Sequence, residues 1–305
     1  IFIFPSIRYI NELKRNKSIP KVLFAIGNSM YNFKEGNGFM SNRDKTIYNA
    51  VIGRGPNDSK KIGEGVSMHY GKGSKGFNIA SCQFAIHYFF EDLNSLKGLI
   101  RNVSENTAVG GYFIGACYDG SIMFNKLRNL SKGQKYNIIK DGTTILEITK
   151  QYEDTEFNND STSLGYGIDV LHETINSVWR EYLVNFNYLT RILENYGFVP
   201  LSIQESAEIN MPESTGNFNS LFNKLKSDKK KYGTSLEMSN SEQELSFLNR
   251  YFIYKKIRDV DTTNVTLDVS EKIKFQPQDL EDEEQPEGQP EGDDRPTIEL
   301  KKLNR

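Results

Sequence analysis

The chain has 305 residues, 12% of them aromatic and 26% charged, with glycine and proline at ordinary levels. This excludes low-complexity and collagen-like sequences and leaves room for one large α/β domain or two small ones. No apolar run approaches the roughly 18 residues of a membrane span, and no basic leader with a cleavage site opens the chain, so neither a membrane nor a secreted location is expected. Residues 259–305 hold 14 acidic and 6 basic side chains, a net of −8, so residues 1–258 carry +6 against the whole-chain −2. A mildly basic body suits a phosphate-bearing partner, although such a charge is also ordinary for a protein surface. The two cysteines, Cys82 and Cys117, are too few for a zinc site and suit a reducing compartment.

In chain order, residues 7–16 predict a short helix, and Lys21 to Ile26 an apolar strand ending in Gly27-Asn28-Ser29. A helix is expected over 43–53, followed by a Gly/Lys/Ser-rich loop over 54–75. Within that loop Gly71-Lys72-Gly73-Ser74-Lys75-Gly76 fits Gly-x-Gly-x-x-Gly. A nucleotide loop needs a strand before it and a helix after it; here a loop precedes and an apolar strand, 77–82, follows, so a flexible turn is expected. Glu91 and Asp92 open a helix on which Leu93, Leu96, Leu99, Ile100 and Val103 recur at helical spacing. Gly110-Gly111 leads into a strand over 112–117, and 121–130 reads as helix. From Tyr136 to Val170 strands and turns are expected, with Asp141-Gly142 as a hairpin turn. Residues 177–196 predict the longest helix, with Trp179, Tyr182, Phe186, Leu189, Leu193 and Tyr196 on one face and Gly197 as its cap. A strand over 198–204, a helix around Phe218 to Leu225 and a strand over 247–256 close the body. Alternating strands and helices imply a largely parallel sheet. Residues 1–258 are expected to form one domain, and 259–305 an acidic, Pro-rich disordered tail.

The most informative stretch is Ser81-Cys82-Gln83-Phe84-Ala85-Ile86-His87-Tyr88. It ends an apolar strand, where open α/β sheets place their ligands. It offers an amide, aromatic faces and an imidazole at that edge. Read alone, a buried strand end with a satisfied His is the better reading. The octapeptide, however, closely resembles the core of messenger-RNA cap guanine-N7 methyltransferases. Val109 to Gly115, Glu181-Tyr182-Leu183-Val184-Asn185-Phe186 and Tyr251-Phe252-Ile253-Tyr254 resemble that family's later blocks, in order. The resemblance covers about residues 20 to 257. Gly115-Ala116-Cys117-Tyr118-Asp119-Gly120 and Phe247-Leu248-Asn249-Arg250-Tyr251 are similar to the methyltransferase end of the fused capping enzymes of large DNA viruses.

The resemblance implies an α/β fold: a Rossmann-like class I S-adenosylmethionine-dependent methyltransferase sheet, lacking its first strands, with inserted antiparallel strands. It implies methyl transfer from S-adenosylmethionine to N7 of the GpppN cap guanine, and the capped mRNA 5′ end as partner. Asn28, Ser29, Gln83, Phe84 and Tyr88 match cofactor positions. His87, Glu181, Tyr251 and Tyr118 match or adjoin positions that hold the cap guanine, Tyr118 standing where cellular relatives commonly have Pro. No catalytic acid, base or nucleophile is needed, because guanine N7 and a sulfonium methyl react once placed in line. Triphosphatase and guanylyltransferase domains in a parent protein would fit, as would a viral factory in the host cytoplasm or a virion, or a nucleus if the source is cellular. The Gly-x-Gly turn that cradles methionine is not in this sequence, so a C-terminal fragment of a longer capping protein is expected. A non-catalytic remnant that binds RNA or a capping partner, and a methyltransferase for a small molecule, are the competing readings.

Overall fold

The computed structural model describes residues 3–173, 177–226 and 233–265. Helix α1 (Ile3–Arg15) opens it, and an extended segment over 16–41 leads to α2 (Asn42–Val51). Ser41 caps α2 by accepting from the Asp44 N–H. The anticipated strand at Lys21 to Ile26 does not form: the segment pairs with no strand, and Val22, Phe24 and Ile26 stay 42–43% exposed. A β-prone run becomes a strand only where another strand receives its backbone. The 54–75 loop carries two single-turn helices, α3 (Ser59–Ile62) and α4 (Glu64–Ser67), and Gly71 to Gly76 is a run of turns ahead of β1, as its context predicts.

Strand β1 (Phe77–Gln83) runs parallel to β2 (Thr107–Tyr118), joined by the crossover helix α5 (Leu93–Asn106) with Asp92 as its cap. Strand β9 (Asn249–Lys256) lies antiparallel on the far side of β2. It also pairs with β7 (Phe198–Pro200) and the short β8 (Thr215–Asn217), so the order is β1-β2-β9-β7. The parallel α/β half is therefore one pair, continued antiparallel. Among the described residues β1 has a free edge, with Phe77 41% and Ile79 56% exposed. Gly115 is required inside β2: a Cβ there would meet the Cys82 carbonyl oxygen at 2.1 Å and the Phe252 ring at 2.3 Å.

After β2, α6 (Gly120–Leu127) leads to a second, antiparallel sheet of β3 (Lys135–Lys140), β4 (Thr143–Lys150), β5 (Gly167–His172) and β6 (Val178–Tyr182). The β3–β4 turn is Asp141-Gly142, both at positive φ, as the hairpin signal requires. The predicted helix over 177–196 is corrected: its first part is strand β6, and α7 (Phe186–Asn195) begins only after Asn185, whose side chain caps it at the Tyr188 N–H. Gly197 follows at φ +88. The expected strand over 198–204 stops at Pro200, and α8 (Ile203–Glu208) takes its end; α9 (Phe218–Leu225) and α10 (Asn240–Phe247) precede β9.

Two cores result. Ile86, Phe90, Leu96, Ile100, Phe113, Leu189, Leu193, Phe198 and Phe252 bury α5 and α7 against the first sheet. Met123, Leu127, Ile138, Leu146, Ile148, Ile168 and Val170 bury α6 against the second. Where the two meet, Asp119 caps α6 at Ser121 and Ile122 and accepts from Arg250 Nε at 2.6 Å. The segment assigned to the tail touches this body at its start: Asp259 accepts from buried Lys256, and Val265 packs on the first core. The rest of the expected tail, 266–305, lies outside the described residues.

Candidate functional site

The C-terminal ends of β1 and β2 and one face of the second sheet enclose a cavity of about 650 Å³. Its lining includes Phe84, His87, Tyr88, Tyr118, His172, Trp179, Glu181 and Asn249. Five of the nine residues expected at the site therefore meet here, from three separate parts of the chain.

Phe84 sets the geometry. It follows β1 with φ +49, a left-handed backbone that a bulky residue rarely adopts, and its N–H donates to the Ala116 carbonyl at 2.7 Å. Such strain costs about 1–3 kcal/mol and clusters at ligand sites. It turns the chain sharply from strand into the 3₁₀ turn Ile86–Phe90 and leaves the Phe84 ring 55% exposed. The same turn buries His87 while Tyr88 stays 43% exposed, the two rings edge to face at 4.3 Å.

Glu181 lies not in a helix's first turn, as the sequence suggests, but on edge strand β6, opposite Ile168. Its side chain is 11% exposed, and His87 Nε2 stands 3.7 Å from its Oε2. The separation is too long for a hydrogen bond, and neither atom has another partner; His87 Nδ1 is unpartnered as well. The charges do not rescue the contact. Burial pushes the Glu181 carboxyl up to about 7 and the His87 imidazole down to about 4. At neutral pH His87 is uncharged, so the two are not an ion pair but adjacent, desolvated polar groups with open bonding positions.

His172 ends β5 and faces the cavity. Its Nε2 is 2.8 Å from the Tyr118 hydroxyl, and the rings are parallel within 9°. Burial holds the phenol far above its ordinary pKa and lowers the imidazole's, so both are neutral. The alternation Ile168, Val170, His172 was the signal that places this His on the face of the two buried apolar residues.

Four expected site residues are placed elsewhere. Asn28 and Ser29 form a turn packed on α5, where Gly98 lets the Met30 carbonyl approach. Asn28 Oδ1 accepts from the Met30 N–H, and Asn102 Nδ2 donates to the Ser29 carbonyl. Gln83 donates to Ser81 Oγ on the exposed side of β1. Tyr251 is buried on β9 with its hydroxyl donating to the Glu213 carbonyl, outside the cavity lining. Asn249, two residues before it, takes the lining position, its amide donating to the Leu245 and Ser246 carbonyls.

The cavity can thus take a flat polar ring edge-on. A carboxylate can accept two adjacent donors, an imidazole can give or take one bond, and aromatic faces flank them. Among the described residues no helix is long and apolar enough to cross a membrane.

The sequence model of the mRNA (guanine-N(7))-methyltransferase domain matches residues 28–257. The "Probable mRNA-capping enzyme" of Acanthamoeba polyphaga mimivirus is 25% identical over 229 residues, 64% of this chain and 18% of its own length. The "mRNA cap guanine-N(7) methyltransferase" of Eremothecium gossypii is 25% identical over 190 residues, covering 60% of this chain and 43% of that protein. The chain therefore spans less than half the length of these two relatives. Among solved structures, a S-adenosylmethionine-dependent methyltransferase from Clostridium acetobutylicum aligns over 59% of this chain and 58% of its own, at 15% identity and a TM-score of 0.31.

Proposed function

This chain belongs to the mRNA (guanine-N7)-methyltransferase family, and we propose that its cavity holds the guanine of an RNA cap for methyl transfer to N7. The observation that carries this reading is Glu181: a buried carboxylate with an unpartnered oxygen lining the cavity. Guanine presents N1–H and its exocyclic amine side by side, and a carboxylate accepts both. Those two donors would also restore the charge that burial opposes at Glu181. His87, neutral beside it, would complete the polar end, and Phe84 and Tyr118 would bound the ring. N7 lies on the opposite edge of the base and would stay free to react. Positioning is then the protein's whole contribution to the step, with no acid or base required.

S-adenosylmethionine would supply the activated methyl. The exposed Phe84 and Tyr88 rings, just beyond the end of β1, would suit its adenine-bearing end. Among the described residues, no strand runs into a Gly-x-Gly turn that would cradle the methionine end. A second reading has this chain bind capped RNA without turnover. Either reading places it with the capping machinery, nuclear in a cell or cytoplasmic in a virus factory, and suits a parent protein that also carries triphosphatase and guanylyltransferase domains.

Calorimetry with GTP and ITP tests the guanine site, because inosine lacks the exocyclic amine. A lost bond to a charged group costs about 1.5–3 kcal/mol, so GTP should bind about tenfold to a hundredfold more tightly than ITP. Glu181→Ala should abolish that preference. Equal binding of GTP and ITP by the native chain would remove Glu181 from a guanine site. Methyl transfer to GpppA-RNA, measured separately, decides between turnover and binding alone.

A further inference from the structure

The cavity has two unlike ends, and the guanine reading uses only one. Glu181 and His87 form the buried, polar end. The other end lies two residues earlier on β6, where Trp179 pairs with Val170 as Glu181 pairs with Ile168. Alternate residues of a strand share a face, so the Trp179 indole and the Glu181 carboxylate rise from the same side of the sheet, about 6.5 Å apart along it. Trp179 is 43% exposed within the lining. Its indole N–H donates to Ser177 Oγ at 2.8 Å, which fixes the ring by its edge. The parallel, hydrogen-bonded rings of Tyr118 and His172 line the same cavity.

We propose that Trp179 is the stacking platform for the base of the first transcribed nucleotide, the one joined to the cap guanine through the triphosphate. This rests on the guanine reading above and extends it from the cap to the RNA. An exposed indole held at its edge suits a π-face contact, and a cavity of about 650 Å³ has room for more than one base. Stacking on an aromatic ring discriminates poorly between bases, because every base has such a face. The acceptor preference should therefore be for a capped dinucleotide over a mononucleotide, with little dependence on which base follows the cap.

Trp179 is the single tryptophan of the chain, so its fluorescence reports on this contact alone. GpppA should quench it strongly and GTP weakly. By calorimetry, Trp179→Ala should weaken GpppA about tenfold while leaving GTP within twofold, and Trp179→Phe should restore most of the loss. Quenching by GTP equal to that by GpppA would put Trp179 on the guanine itself and overturn the proposal. Unchanged GpppA affinity in Trp179→Ala would do the same. Loss of the GTP-over-ITP preference in the native chain would bring down the guanine reading and this proposal together. A native preference with silent Trp179 would bring down this proposal only.

Discussion

Among the described residues, Ala50 is the only buried apolar side chain before Phe77, and every other lies between Ile86 and Tyr254. The earlier region is not short of apolar residues: Ile7, Ile10, Leu13, Val22, Phe24 and Ile26 are all more than a third exposed. What holds it is a set of polar contacts beside a small ring cluster of Phe33, Phe39 and Tyr48. Asn102 donates to the Ser29 and Tyr31 carbonyls and accepts from the Phe33 N–H, and Asp44 accepts from the Ile26 N–H. The later region is held by two apolar cores and a nine-strand framework. The difference teaches that an apolar sequence supplies burial only when a second layer exists to receive it.

The comparison can be broken at its strong end first. Phe252, fully buried between β2 and the α7 side of the core, should cost about 3–5 kcal/mol when changed to Ala, as read by urea unfolding. A loss below about 1 kcal/mol would mean the core tolerates collapse there. Next, Asp119→Ala removes a buried cap and the carboxylate partner of Arg250; about 3 kcal/mol is expected. Asp119→Asn keeps the cap acceptor and should lose less.

A smaller effect sharpens the picture of the site. Glu181 is raised from 4.5 to about 7, so the stability it contributes is complete below pH 4.5 and disappears as pH rises through about 7. His87 is lowered from 6.5 to about 4, so its contribution is complete above 6.5 and is lost as pH falls toward 4. Between pH 4.5 and 6.5 the two slopes oppose and should cancel. Glu181→Gln removes one of them, and stability should then rise with pH across that window by about 1.4 kcal/mol per unit. A flat profile in the variant would show that His87 is better solvated than its burial indicates. The smallest effect belongs to the early region: Phe24→Ala, which removes one edge contact with Tyr9, should stay within about 0.5 kcal/mol. A loss near that of Phe252→Ala would place Phe24 in a core after all.

Much of this was legible. The β1–α5–β2 unit shows in the run Phe77 to Cys82 and the spacing of Leu96, Leu99, Ile100 and Val103, because local periodicity and burial agree there. The cavity's shared residues were legible through the ordered blocks, since neither His87 nor Glu181 stands out by composition. The 177–196 misreading has a physical cause. Trp179 and Glu181 alternate as a strand, then Phe186, Leu189 and Leu193 recur as a helix, with no Gly or Pro between them. Asn185 was the available signal, a capping residue in mid-run. Tyr251 was assigned to the base by its block, but a tyrosine's hydroxyl goes to whichever acceptor the loops bring near, here the Glu213 carbonyl.

The position of β9 has a consequence for synthesis. It stands in the middle of its sheet, between β2 and β7, yet its Arg250 meets Asp119 across 131 residues of chain. At about 5–20 residues per second, a ribosome takes roughly 7–26 s to deliver that partner after β2 emerges. Through that interval one edge of β2 waits unpaired, shielded only by whatever the nascent chain or a chaperone provides. Slowing translation between codons 119 and 250 should lower the yield of folded protein more than slowing it anywhere earlier.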